Sequence, residues 1–259
     1  MKYFIGFLFL ILAAPLFSQD TDQKDPVIPD YIDSAVMKMP DRELRGSKFA
    51  GYLISENNPR KAKYYYDLLI RDYADLPSTK KALRHYDIAA NSVVKVGRQV
   101  PPFEISLLGG KGKISDKSML GKYYLLHFWA SWLGCSVAEI PEMNEVYKKY
   151  HEKNGFEIIS FSFDTAESVI APFYEKNWKL AERWRMPWLL AYVHGVSNVD
   201  STFKSDLDLY DSDIGKKFEL LNFPERILVG PDGKILAKHE DLSFTHFKEV
   251  LSRYFDDGN

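Results

Sequence analysis

The chain has 259 residues, 34 Lys+Arg against 36 Asp+Glu, a formal net charge of −2 and a hydrophobic share of 46%. That balance is globular and carries no basic footprint for a nucleic-acid backbone, so nucleic acid is not an expected partner. The single cysteine, Cys135, excludes an intrachain disulfide, a cysteine-only metal site and a Cys-x-x-Cys redox pair.

Residues 1–18, MKYFIGFLFLILAAPLFS, place one lysine ahead of an uncharged apolar run that ends at Phe17. A spanning helix needs roughly 20 apolar residues, whereas a signal-peptide core needs roughly 7–15. The run predicts a cleaved export signal, a periplasmic location and no membrane span in the mature chain; an uncleaved anchor is the alternative, because Leu16 is large for its place before the cut. Residues 19–40, polar with Pro26, Pro29 and Pro40, predict a flexible lead-in. Residues 41–96 read as a helical region. Ala62, Tyr65, Tyr66, Leu69 and Ile70 recur at helical spacing, as do Ala82, Leu83, Tyr86, Ala89 and Ala90, with Ser78 or Thr79 as a cap for the second helix. The stretch NPRKAKYYYDLLIRDYADLPSTKKAL resembles one unit of a tetratricopeptide-type array. No second copy follows at a fixed period, so a helical cap is preferred to a peptide-binding solenoid.

From Gly97 the pattern changes. YYLLHFWA (123–130), FEIISFSF (156–163), PWLLAYV (187–193), RILVG (226–230) and KILAKH (234–239) predict strands, the last two joined by the turn Pro231-Asp232-Gly233. Helices are expected over Pro141–Lys153, from Thr165 to about Arg185 and over Phe244–Phe255. This order describes an α/β sandwich with a mixed central sheet flanked by helices and preceded by a small α-helical region.

HFWASWLGCSVAEIPEMNEVYKKY, then NFPERILVGPDGKIL and the lead-in GRQVPPF (97–103), together resemble the exported thioredoxin-like proteins of the TlpA/ResA type, which are thiol-disulfide oxidoreductases. The resemblance covers residues 97–255 and implies a thioredoxin-like domain over 97–259. It also implies a substrate groove at Trp132 and at Phe223-Pro224, where the family has a cis-proline, and a protein or peptide as ligand. The departure lies at the chemistry. The family's motif reads Trp-Cys-x-x-Cys, and its two cysteine positions hold Leu133 and Ser136, with Cys135 between them. Exchange by two thiols needs one to attack and one to resolve, so the dithiol cycle is excluded.

The buried acid of thioredoxins, which relays a proton to the second cysteine, falls on His127. With no second thiol to serve, a hydrogen-bonded core histidine is the preferred reading. At the start of the following helix, which the resemblance runs from Cys135 through Glu139 toward Tyr150, Cys135 is either a thiolate favoured by free N–H groups or a small packed hydrophobe, and its side-chain direction decides. Two functions follow: a binding or accessory role on a degenerate groove, or a single-cysteine oxidoreductase. A one-cysteine peroxidase ranks lower, because the positions for its hydroxyl and proline hold Trp132 and Phe128. The histidines lack zinc spacing and the aspartates of 199–217 lack calcium-loop spacing, so neither a metal nor any other cofactor is expected. Trp178, Trp184 and Trp188 read as core.

Overall fold

A computed structural model describes residues 30–164, 166–175, 182–193, 212–238, 241–242 and 246–256. The expected export signal, Trp178 and most of the aspartate-rich stretch lie outside them. Among the described residues no helix is long and apolar enough to cross a membrane. The chain divides after Asn91 into two compact units.

The first unit holds α1 (Asp30–Met37), α2 (Arg42–Ser55), α3 (Pro59–Asp72) and α4 (Pro77–Asn91). Asp41 caps α2 by accepting the Leu44 N–H, and Asn58 caps α3 by accepting those of Arg60 and Lys61, ahead of a proline at the first helical position. Phe49, Leu69 and Ala82 form the centre of a core that Val36, Leu53, Tyr65 and Tyr73 complete. Three expectations are corrected here. The lead-in over 19–40 contains α1, which is held by burial of Val36 in that core. The two helices expected over 62–70 and 82–90 are joined by a third, α2, ahead of them. Ser78 and Thr79 do not precede α4 but lie in its first turn, because Pro77 already opens it; the Thr79 hydroxyl donates to the carbonyls of Tyr73 and Leu76.

In the second unit a short antiparallel hairpin, β1 (Glu104–Ser106) and β2 (Lys113–Ser115), precedes a five-stranded sheet. Its strands are β3 (Tyr124–Trp129), β4 (Glu157–Ser162), β5 (Leu189–Tyr192), β6 (Glu225–Val229) and β7 (Ile235–Lys238), in the order β5-β4-β3-β6-β7. β3, β4 and β5 run parallel, while β6 and β7 are antiparallel to their neighbours. The central strand β3 is buried along its whole length. Its side chains alternate between two cores. Leu126 and Phe128 face Phe103, Phe161 and Phe218, while Leu125 and Trp129 face Met143, Val146, Phe247 and Leu251. The latter four come from α6 (Ile140–Asn154) and α9 (Phe247–Phe255), with Gly155 in the left-handed region ending α6. Trp188 is buried in this second core and Trp184 packs against it.

Two helices are shorter than the sequence predicts. α7 covers only Glu167–Tyr174, and Glu182–Trp184 forms a separate 3₁₀ turn. Pro172 lies inside α7 and offers no N–H to the carbonyl of Ser168, and the helix ends two residues later. The expected helix from Cys135 toward Tyr150 is interrupted as well: α5 (Gly134–Ala138) stops at Glu139, where α6 begins. Pro141 explains the break, since its ring collides with the carbonyl of Val137 and it has no N–H to give. A last short helix, α8 (Asp213–Lys217), leads through Phe218 to the β6 side of the site.

Candidate functional site

β3 delivers the chain to the turn Ala130-Ser131-Trp132-Leu133, which opens α5. A buried carboxylate fixes that turn. Asp164, at the end of β4, accepts the Ser131 N–H at 3.1 Å, the Ser131 hydroxyl at 2.6 Å and the Ser162 hydroxyl at 2.7 Å. Leu133 occupies the N-cap position without a capping side chain and packs against the first core. Ser136 turns inward and is fully buried, and its Oγ has no hydrogen-bond partner. Cys135 turns outward and is exposed. Its Sγ lies 3.8 Å from the Phe223 carbonyl oxygen, to which the thiol donates.

The Phe223-Pro224 bond is cis. Pro224 is buried, and the Phe223 ring packs on Phe163 with centroids 4.7 Å apart. Trp132 is 36% exposed beside the thiol in sequence. Of the residues named from sequence, the structure thus brings Cys135 and Phe223-Pro224 together at one surface. It separates Leu133 and Ser136 from that surface by packing them inward. The positions of the two family cysteines carry no thiol, Leu133 being half-buried and Ser136 fully buried.

His127 lies beneath, on the second-core side of β3. Strand register sets it opposite Ser160 of β4 and Arg226 of β6, so three polar residues form a row across three strands. Trp188 Nε1–H donates to Ser160 Oγ at 2.8 Å, and Ser160 Oγ lies 2.9 Å from His127 Nδ1. Glu139 covers the row from the α5–α6 junction. Its Oε1 accepts from Arg226 Nη2 at 3.2 Å, and its Oε2 lies 3.7 Å from His127 Nε2. Arg226 also stacks over the Phe247 ring at 4.7 Å. All three ionisable groups are buried. Burial pushes Glu139 up to about 7, opposed by the Arg226 charge and reinforced by Glu142. Burial, assisted by the Arg226 charge, holds His127 well below its ordinary range. Burial also lowers Arg226, which nevertheless stays a cation. His127 is therefore a neutral, hydrogen-bonded core residue at physiological pH.

Sequence reasoning did not identify Asp164 or Arg226. Arg226 was visible as the one charge in RILVG, on the same strand face as Leu228, where a period-two strand predicts a buried position. Among the described residues no three metal-ligating side chains come together.

The family model described as "AhpC/TSA family" matches residues 96–238. The chain belongs to the AhpC/TSA family. Within its curated relatives, the thiol-disulfide oxidoreductase ResA of Bacillus thuringiensis subsp. konkukian is 29% identical over 161 residues, 62% of this chain and 77% of that protein. Tryparedoxin of Trypanosoma brucei brucei is 30% identical over 131 residues, 51% of this chain and 76% of that one. A solved thiol-disulfide oxidoreductase from Bacteroides fragilis is 22% identical with a TM-score of 0.45, covering 61% of this chain and all of that one. This AhpC/TSA member is thus a thioredoxin-fold relative of the ResA-type oxidoreductases with one cysteine among its 259 residues.

Proposed function

We propose that this protein is an exported, accessory member of the cell-envelope thiol-disulfide pathways, which binds a protein or peptide partner beside Pro224 and holds it through one mixed disulfide at Cys135. The observation that carries the reading is the placement of an exposed thiol 3.8 Å from the Phe223 carbonyl, next to the cis bond, with no second cysteine anywhere in the chain. The Cys135 thiolate attacks a partner disulfide, forming one Cys135–sulfur bond and releasing the partner's other sulfur as a thiolate. No thiol within the chain can resolve the product. Release therefore requires a thiol from a second protein or a small-molecule thiol, whose sulfur takes the partner's sulfur and returns Cys135. Peroxide chemistry is not part of the reading, because Trp132 and Phe128 supply neither the hydroxyl nor the proline that would position a peroxide. Export is supported by the pattern of residues 1–18.

The test is to offer the native protein a cysteine peptide carrying an activated disulfide and to follow the adduct by intact mass. One peptide should attach at Cys135, persist without added thiol and be absent from Cys135→Ser. A thiol that stays unmodified until the protein is denatured would overturn the proposal.

A further inference from the structure

The inner side of α5 carries a buried ion pair whose two members belong to the two walls of the candidate groove. Glu139 follows Cys135 by four residues, at the end of α5, and Arg226 follows Pro224 by two, in β6. The bond between Arg226 Nη2 and Glu139 Oε1 therefore ties the thiol-bearing turn to the strand that presents the Phe223 carbonyl. We propose that the Glu139–Arg226 pair is a proton-controlled tie across the groove: when Glu139 takes up a proton the tie loses its ionic character, and the setting of Cys135 against the Phe223 carbonyl changes. The inference uses the groove of the proposed function only as a location.

The geometry supplies a place for the proton. Ser160 Oγ already accepts the Trp188 N–H, so its own hydroxyl is free to donate to His127 Nδ1. Nε2 then carries the hydrogen of the neutral imidazole and points it at Glu139 Oε2, 3.7 Å away. At that separation the two atoms make no hydrogen bond, and neither has another partner among the described residues. The carboxylate thus rests on Arg226 alone, with one oxygen buried and unsatisfied. Protonation removes the cost of burying the carboxylate charge and shifts it to the buried Arg226 cation, which loses this counter-charge.

The groups that face Glu139 are few and their signs are known. His127 on β3 is neutral, and among the described residues Arg226 on β6 is the one cation in direct contact. Glu142 on α6 adds a negative charge that favours protonation, while Lys248 of α9, paired with Glu145 at 2.6 Å, offsets part of it; Glu225 on β6 acts through Arg226. Burial, the largest influence, puts the transition near neutrality, at about 7.

The test removes the thiol's own ionisation by labelling Cys135 of the intact protein with a trifluoroethyl group and following its fluorine NMR shift across the neutral pH range. The expected result is one sigmoidal change centred near pH 7, lost in Glu139→Gln and retained in Asp241→Asn, a control in an exposed carboxylate outside the groove. A flat wild-type profile, or a step that survives in Glu139→Gln, would refute the tie, because Glu139 then does not set the environment of Cys135. Should Glu139→Gln not fold, a carboxyl-carbon NMR titration of the wild type decides: Glu139 titrating in the ordinary carboxylate range overturns the proposal. Failure of Cys135 to capture an activated disulfide leaves this experiment unaffected, so the two proposals fail separately.

Discussion

The outer and inner faces of α5 have been treated differently by the same sequence. On the outer face the motif positions that would carry thiols hold Leu133 and Ser136, the latter turned inward, and one exposed cysteine remains against the Phe223 carbonyl. On the inner face the polar groups are numerous and buried, in two hydrogen-bonded sets, Trp188–Ser160–His127 and Glu139–Arg226, that face each other across 3.7 Å. Buried charge is expensive unless paired, so a network of this kind persists only where the fold supports each member. The comparison teaches that a surface with a single thiol can stand on a core rich in buried polar groups.

The largest way to break this contrast is Arg226→Ala. It leaves Glu139 buried without its cation, and the chemical-denaturation midpoint should fall by an amount equivalent to about 3–5 kcal/mol, more at alkaline than at acidic pH, where the carboxyl is neutral. Asp164→Ala comes next. It strands the Ser131 N–H and two hydroxyls, and should cost about 2–3 kcal/mol in the same measurement and change the rate of Cys135 alkylation, since the turn loses its anchor.

The pH dependence sharpens the comparison further. Glu139 is raised from 4.5 to about 7 in the fold, so the stability it contributes is complete below its unfolded value and is lost as pH rises through about 7. His127 is depressed from 6.5, so its contribution is present above that value and is lost as pH falls. The two slopes oppose each other in the weakly acidic range. Calorimetry should find wild-type stability nearly flat there, and Glu139→Gln should unmask a stability that rises with pH toward 6.5. A Glu139→Gln curve parallel to the wild type would contradict this assignment. The smallest effect belongs to the outer face. Cys135→Ser should move the unfolding midpoint by no more than the equivalent of about 0.5 kcal/mol, as for any exposed side chain away from a structural feature, while abolishing adduct formation.

The strands were legible because FEIISFSF and YYLLHFWA concentrate aromatic and β-branched residues in short runs, and the helices over 59–72 and 140–154 because their apolar residues recur at helical spacing. The hairpin of β1 and β2 was not, since three-residue strands leave too little alternation to read. At the site, family motifs located Cys135, Trp132 and Phe223-Pro224, but the outward direction of the thiol on the short helix α5 is set by tertiary packing that the motifs do not encode. The row of Ser160, His127 and Arg226 was hidden for a different reason. Its members lie 33 and 99 positions apart in the chain, and only strand register aligns them.

The clasp at Asp164 has a consequence for surroundings of changing redox potential. A turn closed by its own Cys-x-x-Cys disulfide has two shapes, one oxidised and one reduced, and its groove reads the ambient potential whether or not a partner is present. The turn from Ser131 to Leu133 is anchored instead by the Ser131 N–H and hydroxyl, both donating to the Asp164 carboxylate, and neither bond gains or loses an electron. That anchor is the same in oxidising and reducing media, so a redox response of this turn and the helix it opens falls to the Cys135 thiol.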